Sequence, residues 1–173
     1  RIWGISNYET VAQSSMSTDE LICSWGWAGW KRLNDVDFSE DFPADVLSSP
    51  YLGLVPAISE VTINISKISA IEMDQTLKNR YIAELTGLRA IYGHQLLNLY
   101  GPLTIITDAA IAENSEAEFV PRPSVDQMVA QIESDYKAAA AVLPSRFTGD
   151  DYGRLSSAAC LTGLMHLYMH EKK

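Results

Sequence analysis

Cysteine, positive charge and long apolar runs are all scarce in this chain, and each shortage closes off a class of function. There are two cysteines, Cys23 and Cys160. That is too few, too far apart, for a disulfide framework, a zinc site or a C-x-x-C redox pair, and both are expected to pack as free, small hydrophobes. Lysine and arginine total 13 against 22 aspartates and glutamates, for a net charge of −9 at pH 7. Gripping a phosphate backbone takes a clustered excess of cations that releases counterions, so nucleic acid is a poor partner. No stretch approaches the roughly 20 apolar residues of a membrane span, and no signal peptide is recognisable. The G-x-S-x-G, P-loop, dinucleotide and H-E-x-x-H patterns are missing as well. The paired carboxylates Glu40-Asp41 and Asp150-Asp151 fall in polar loops and read as solvated charge. Neither an enzyme nor a cofactor is expected.

What is present is helical periodicity. The 173 residues, 47% of them hydrophobic, suffice for one domain with a sizeable core or for part of a larger one. The start at Arg1 and the unpunctuated helical pattern at His170–Lys173 suggest a fragment cut at both ends. Between Arg80 and Pro102, Tyr81, Leu85, Leu88, Tyr92, Leu96 and Leu99 make one helical stripe, which Gly101 and Pro102 stop. A helix is expected over roughly Gln75 to Tyr100. Ser124 and Gln127 form a capping box for a helix whose stripe is Val125, Met128, Ile132, Tyr136, Ala139 and Leu143, ending at Pro144. Another helix opens near Ser156, with Ala158, Leu161, Met165 and Tyr168 on one face.

Leu54 to Ile71 fits both a strand alternation and a helix stripe, and its length favours a helix. Ser6 to Asp45 shows weak periodicity and is expected to be irregular, and an acidic loop runs from Thr104 to Arg122. Helices of this length joined by turns form αα-hairpins. Bulky aromatics paired with alanine and glycine give them a tetratricopeptide-like character without a clean 34-residue repeat. The fold expected is all-α: tetratricopeptide-like helix hairpins with long irregular loops. Residues 1–53 form an irregular aromatic-rich region and residues 54–173 a helical repeat region.

Three segments, in order, carry a family resemblance. RYIAELTGLRAIYGHQLLNLYGP (80–102) sets Arg89, Ala90 and Tyr92 ahead of a Leu-Tyr-Gly-Pro ending. PRPSVDQMVAQIESDYKAAAAVLP (121–144) is an arginine-led loop, a capped helix with Ile-x-x-Asp, alanines and a Leu-Pro ending. Gly153-Arg154 leads into Ala158-Ala159, Leu164 and Tyr168. Together they resemble the SusD/RagB family of surface nutrient-binding lipoproteins. Ser17-Thr18-Asp19-Glu20 and Asn64 are similar to further family positions, whereas Leu103-Thr104 departs from the usual run after Gly-Pro. The resemblance implies part of a larger SusD-like domain on a Gram-negative outer membrane, tethered by a lipid anchor outside this sequence. It implies capture of oligosaccharides for a SusC-like, TonB-dependent transporter. The alternatives are peptide-nutrient binding or a helical-repeat protein interaction module.

The candidate ligand contacts lie in SWGWAGWKRLND (24–35). Sugars present apolar C–H faces and polar rims, so aromatic platforms beside amides and guanidinium groups suit them. Trp25, Trp27, Arg32 and Asn34, with Tyr8 upstream, are the expected contacts. Trp30 leads into Leu33 and is assigned to packing, and Gly26 and Gly29 are expected to let the backbone bend. His166 and His170 share a helix face, but a metal site is not expected there, and His94 is read as a packing or surface residue. Arg89 and Arg154 are assigned to structure, either pairing with a neighbouring carboxylate or capping a helix C-terminus.

Overall fold

The computed structural model describes residues 15–24, 26–39, 44–114 and 120–172. Helices make up its regular structure, and no strand occurs among the described residues. In chain order they are α1 (Ala28–Asn34), α2 (Ala44–Ala70), α3 (Gln75–Tyr100), α4 (Ala109–Glu113), α5 (Val125–Val142) and α6 (Ser157–His170), with a 3₁₀ turn at Gly149–Asp151. The chain divides into two compact units, residues 1–56 and 57–173. No described helix is long and apolar enough to cross a membrane.

The helix ends are chemically specified. Asp74 accepts from the Leu77 N–H at 2.8 Å to start α3. Gly101 closes that helix at φ 73°, with its N–H on the Leu97 carbonyl. The capping box of α5 forms as expected: the Gln127 N–H donates to Ser124 Oγ at 3.2 Å, and the Ser124 N–H donates to Gln127 Oε1 at 2.8 Å. Ser156 caps α6 through the Ala159 N–H.

Two expectations need correction. Helix α2 begins at Ala44, ten residues before the stripe that signals it, and runs through Pro50 and Pro56. A proline lacks the N–H that a helix interior uses, so sequence reasoning starts the helix only where the prolines thin out. The region expected to be irregular also contains α1, a seven-residue helix.

In the second unit α5 packs along α3, and α6 packs along α5. Small residues make the close approach possible. A Cβ placed on Gly93 would lie 3.3 Å from Ile132, and one on Gly87 would lie 3.2 Å from Ala139 Cβ. A Cβ on Gly163 would come within 2.6 Å of the Tyr136 ring. The buried face of α3 is therefore Ala83, Gly87, Ala90 and Gly93 together with Tyr92 and Leu96. Tyr81, Leu85, Leu88 and Leu99 of the expected stripe are only half-buried. On α6 the inward residues are Cys160, Leu164 and Leu167. Leu161 and Met165, expected on the packing face, are 55% and 51% exposed.

The two arginines carried by the family-like segments do structural work here. Arg89 of α3 forks onto Asp135 of α5, with Nε to Oδ2 at 2.7 Å and Nη2 to Oδ1 at 2.9 Å. Its Nη1 donates to Thr62 Oγ1 of α2, and that hydroxyl donates to the Ile106 carbonyl at 2.7 Å. Gln131 adds an amide N–H to Asp135. Arg89 and Asp135 are both buried, so one satisfied ion pair ties three segments together. Arg154 grips Glu84 of α3 with two bonds, at 3.0 and 2.6 Å.

Candidate functional site

The aromatic loop belongs to the first unit, where a small cluster of Met16, Trp30, Leu33 and Val46, with Cys23 packed against it, forms the base. Trp30 and Leu33 are one helical turn apart on α1, and both are buried. That burial bears out the assignment of Trp30 to packing. Gly29 is also buried, inside the helix, so it is not a bend.

Trp27 occupies the N-cap of α1 in extended conformation, φ −82° and ψ 121°, with no side-chain cap. It is not part of the cluster, and the residue is 71% exposed. Ile22, at 88%, and Phe38, at 58%, are exposed apolar residues of the same loop region. Together these exposed apolar side chains make this the candidate contact surface of the first unit. Trp25 and Tyr8 lie outside the described residues.

Asn34, the last residue of α1, uses its whole amide on backbone. Nδ2 donates to the Met16 carbonyl at 2.9 Å and the Leu21 carbonyl at 3.1 Å, while Oδ1 accepts the Cys23 N–H at 2.9 Å. Arg32 forms an ion pair with Asp37 at 2.9 Å and also reaches Ser39 Oγ. Asp37 in turn accepts from the Ser39 hydroxyl. The Ser39 bond and then the Arg32 guanidinium hold the Asp37 carboxyl below the usual carboxylate range.

Between these groups the chain leaves α1 by two crossed bonds, Asp37 N–H to the Arg32 carbonyl and Val36 N–H to the Leu33 carbonyl. That Schellman closure puts its C′ residue in the left-handed region, where glycine is usual. Here the residue is Val36, at φ 55° and 56% exposed. A β-branched residue in that conformation is strained. The Asn34 network and the Val36 closure were not anticipated from sequence. Only the turn-like composition of Asn34-Asp35 could have signalled them.

The second unit offers an open cleft of about 370 Å³ between Leu103–Ile105, Val120–Pro123 and the first turns of α5. Among the described residues no aromatic ring lines it. His94 is buried edge-on to Tyr136, with ring centroids 6.3 Å apart. Burial first, then the nearby His170 and His166, pushes its pKa below the usual histidine value. His166 and His170 are exposed, and no group of three or more potential ligands is set to hold a metal among the described residues. Both cysteines are free, and burial raises the Cys160 thiol.

Packed helices with a separately held, exposed tryptophan define an all-α scaffold protein with a loop-borne aromatic. The family follows from the sequence match: residues 5–169 fit a SusD-like family described as "Starch-binding associating with outer membrane". The chain belongs to that SusD-like family. Among solved structures it is similar to Surface glycan-binding protein A from Bacteroides fluxus, at TM-score 0.75 and 22% identity, over 94% of this chain and 34% of that one. It is also similar to a laminarin binding SusD-like protein, at TM-score 0.72 and 23% identity over 94% and 34% of the two chains. A SusD-like carbohydrate binding protein from Bacteroides vulgatus matches at TM-score 0.76 and 18% identity, over 94% and 36%. At such identities these are likenesses of fold. The chain spans about a third of the length of these structures. No curated protein matches it in sequence.

Proposed function

We propose that this chain is part of a cell-surface protein that captures oligosaccharides and delivers them to a SusC-like, TonB-dependent transporter in the outer membrane, where a lipid anchor holds it. Family membership and the printed names of the structural neighbours support that reading. The observation that carries it is Trp27: a 71%-exposed indole at the N-cap of a helix whose other end is tied down. An indole face stacks on the C–H face of a sugar ring, and neighbouring polar groups meet its hydroxyls. Trp25 and Tyr8 complete the proposed aromatic contacts, with Arg32 as the polar one; Asn34, expected as a second polar contact, has its amide committed to the Met16, Leu21 and Cys23 backbone. Capture by stacking and hydrogen bonding involves no bond making or breaking. Micromolar to millimolar affinity, roughly −8 to −4 kcal/mol, lets the ligand be released.

The test is a tryptophan-fluorescence titration with laminarin and starch oligosaccharides, other soluble plant, host and microbial glycans, and peptides of similar size. One glycan class should give a saturable shift. Trp27→Ala should weaken binding of that glycan about tenfold or more, roughly 1.4 kcal/mol, and leave the melting temperature unchanged, because exposed side chains contribute little to stability. Unchanged binding by Trp27→Ala removes this loop as the site. Saturation by peptides and by no glycan moves the function to peptide capture.

A further inference from the structure

We infer that Asn34 is a positioning residue, the clasp that fixes the path of the chain at Leu21–Cys23, ahead of Trp27, and so aims the Trp27 ring. The inference rests on the glycan-capture reading for its purpose, and on geometry alone for its content. Asn34 is fixed from below: it follows buried Leu33, and its neighbours on α1 are anchored in the Met16, Trp30, Leu33 and Val46 cluster. From there one amide reaches three backbone groups eleven to eighteen residues earlier in the chain, at Met16, Leu21 and Cys23.

An amide suits this task because it offers two N–H donors and an acceptor in one plane. The Met16 and Leu21 carbonyls need donors, and the Cys23 N–H needs an acceptor. Aspartate has the same shape but sets a carboxylate oxygen against two carbonyl oxygens. Alanine leaves all three backbone groups to water. Leu21 and Cys23 flank Ile22, which is 88% exposed. Between Met16 and Cys23, which the cluster holds, Leu21 and Ile22 bury little apolar surface, and side-chain-to-backbone bonds add to the hold there.

At the far end of α1, Val36 and the Arg32–Asp37–Ser39 links fix the exit of the helix. Both flanks of the Trp27-bearing helix are thus tied by polar bonds. With each amide hydrogen of Asn34 already on a carbonyl, its contribution to a bound sugar is the orientation of the ring.

Backbone hydrogen exchange tests this on the whole chain with no ligand present. In Asn34→Ala and Asn34→Asp, protection factors of the Leu21–Cys23 amides should fall at least tenfold, while those of α3, α5 and α6 stay as they are. A carboxyl restores one donor on protonation, so Asn34→Asp should regain part of that protection at pH 4, and Asn34→Ala should not. Unchanged loop protection in both variants overturns the inference. A second arm uses laminarin or whichever glycan binds the unsubstituted chain. Affinity lost in Asn34→Ala without any change in loop protection also overturns it and makes Asn34 a direct contact. If the loop loosens as expected but no glycan binds the unsubstituted chain, the clasp stands and the capture reading falls.

Discussion

The two units hold their chains in different ways. In residues 57–173, α3, α5 and α6, of 26, 18 and 14 residues, bury faces of small and apolar side chains against one another, and the buried charges of Arg89 and Asp135 are paired within that packing. In the first unit the described core cluster is four residues, and the segments around it are fastened by single side chains reaching to backbone. Apolar packing resists deformation through many contacts, each small. A polar clasp depends on one residue, but it leaves the apolar surface of the segment available. A ring that must face solvent and stay aimed is served better by the second device.

The contrast can be broken at its strongest point first. Arg89→Ala strands the Asp135 carboxylate in the helical core and should cost about 3–5 kcal/mol, read as a large drop in urea midpoint. The paired change Arg89→Met with Asp135→Leu should recover most of it, because the buried charge then disappears with its partner. If the double variant is as unstable as the single one, the helical unit depends on the ion pair itself and the contrast between the units narrows.

A smaller effect is expected from Gly163→Ala. The added methyl meets the rigid Tyr136 ring, and overpacking there should cost about 1–3 kcal/mol in the same assay. A neutral result would show that α6 can shift and that the second unit is less tightly interlocked than the Gly163–Tyr136 approach indicates.

The smallest effect has the opposite sign. Val36→Gly relieves the left-handed strain of the α1 closure and should raise stability by about 0.5–1 kcal/mol, after allowing for the extra freedom glycine has when unfolded. Hydrogen exchange should place that gain in the residues around α1. A loss instead of a gain would mean that the Val36 side chain contributes contacts beyond its backbone.

The helical unit was largely legible in the sequence because its signals are periodic and its ends are marked. Ser124 caps where expected, α6 opens at Ser156 as expected, and α3 spans the expected Gln75 to Tyr100, closed by the Gly-Pro stop. Misreadings arose where periodicity ranks residues by hydrophobicity and packing ranks them by size. On α3 the closest approach is made by Gly87 and Gly93, which carry no hydrophobic signal. On α6, apolar residues occur on more than one face, and periodicity alone did not show that Cys160, Leu164 and Leu167 point inward.

The candidate site was legible only in its residue types. Trp27 and Trp30 are three residues apart and chemically identical, yet one is 71% exposed and the other 5%. The N-cap geometry that separates them is a backbone property. Asn34 has no partner within ten residues, so its network is invisible to any local pattern.

The Arg89–Asp135 fork also bears on how such a chain can diverge. Its two halves come from segments 46 residues apart, and losing either alone buries an uncompensated charge. Drift at one position is therefore blocked until the other moves, and the two helices are bound together in inheritance as well as in space. Lineages that replace the pair must do so in both places within few steps, or keep it.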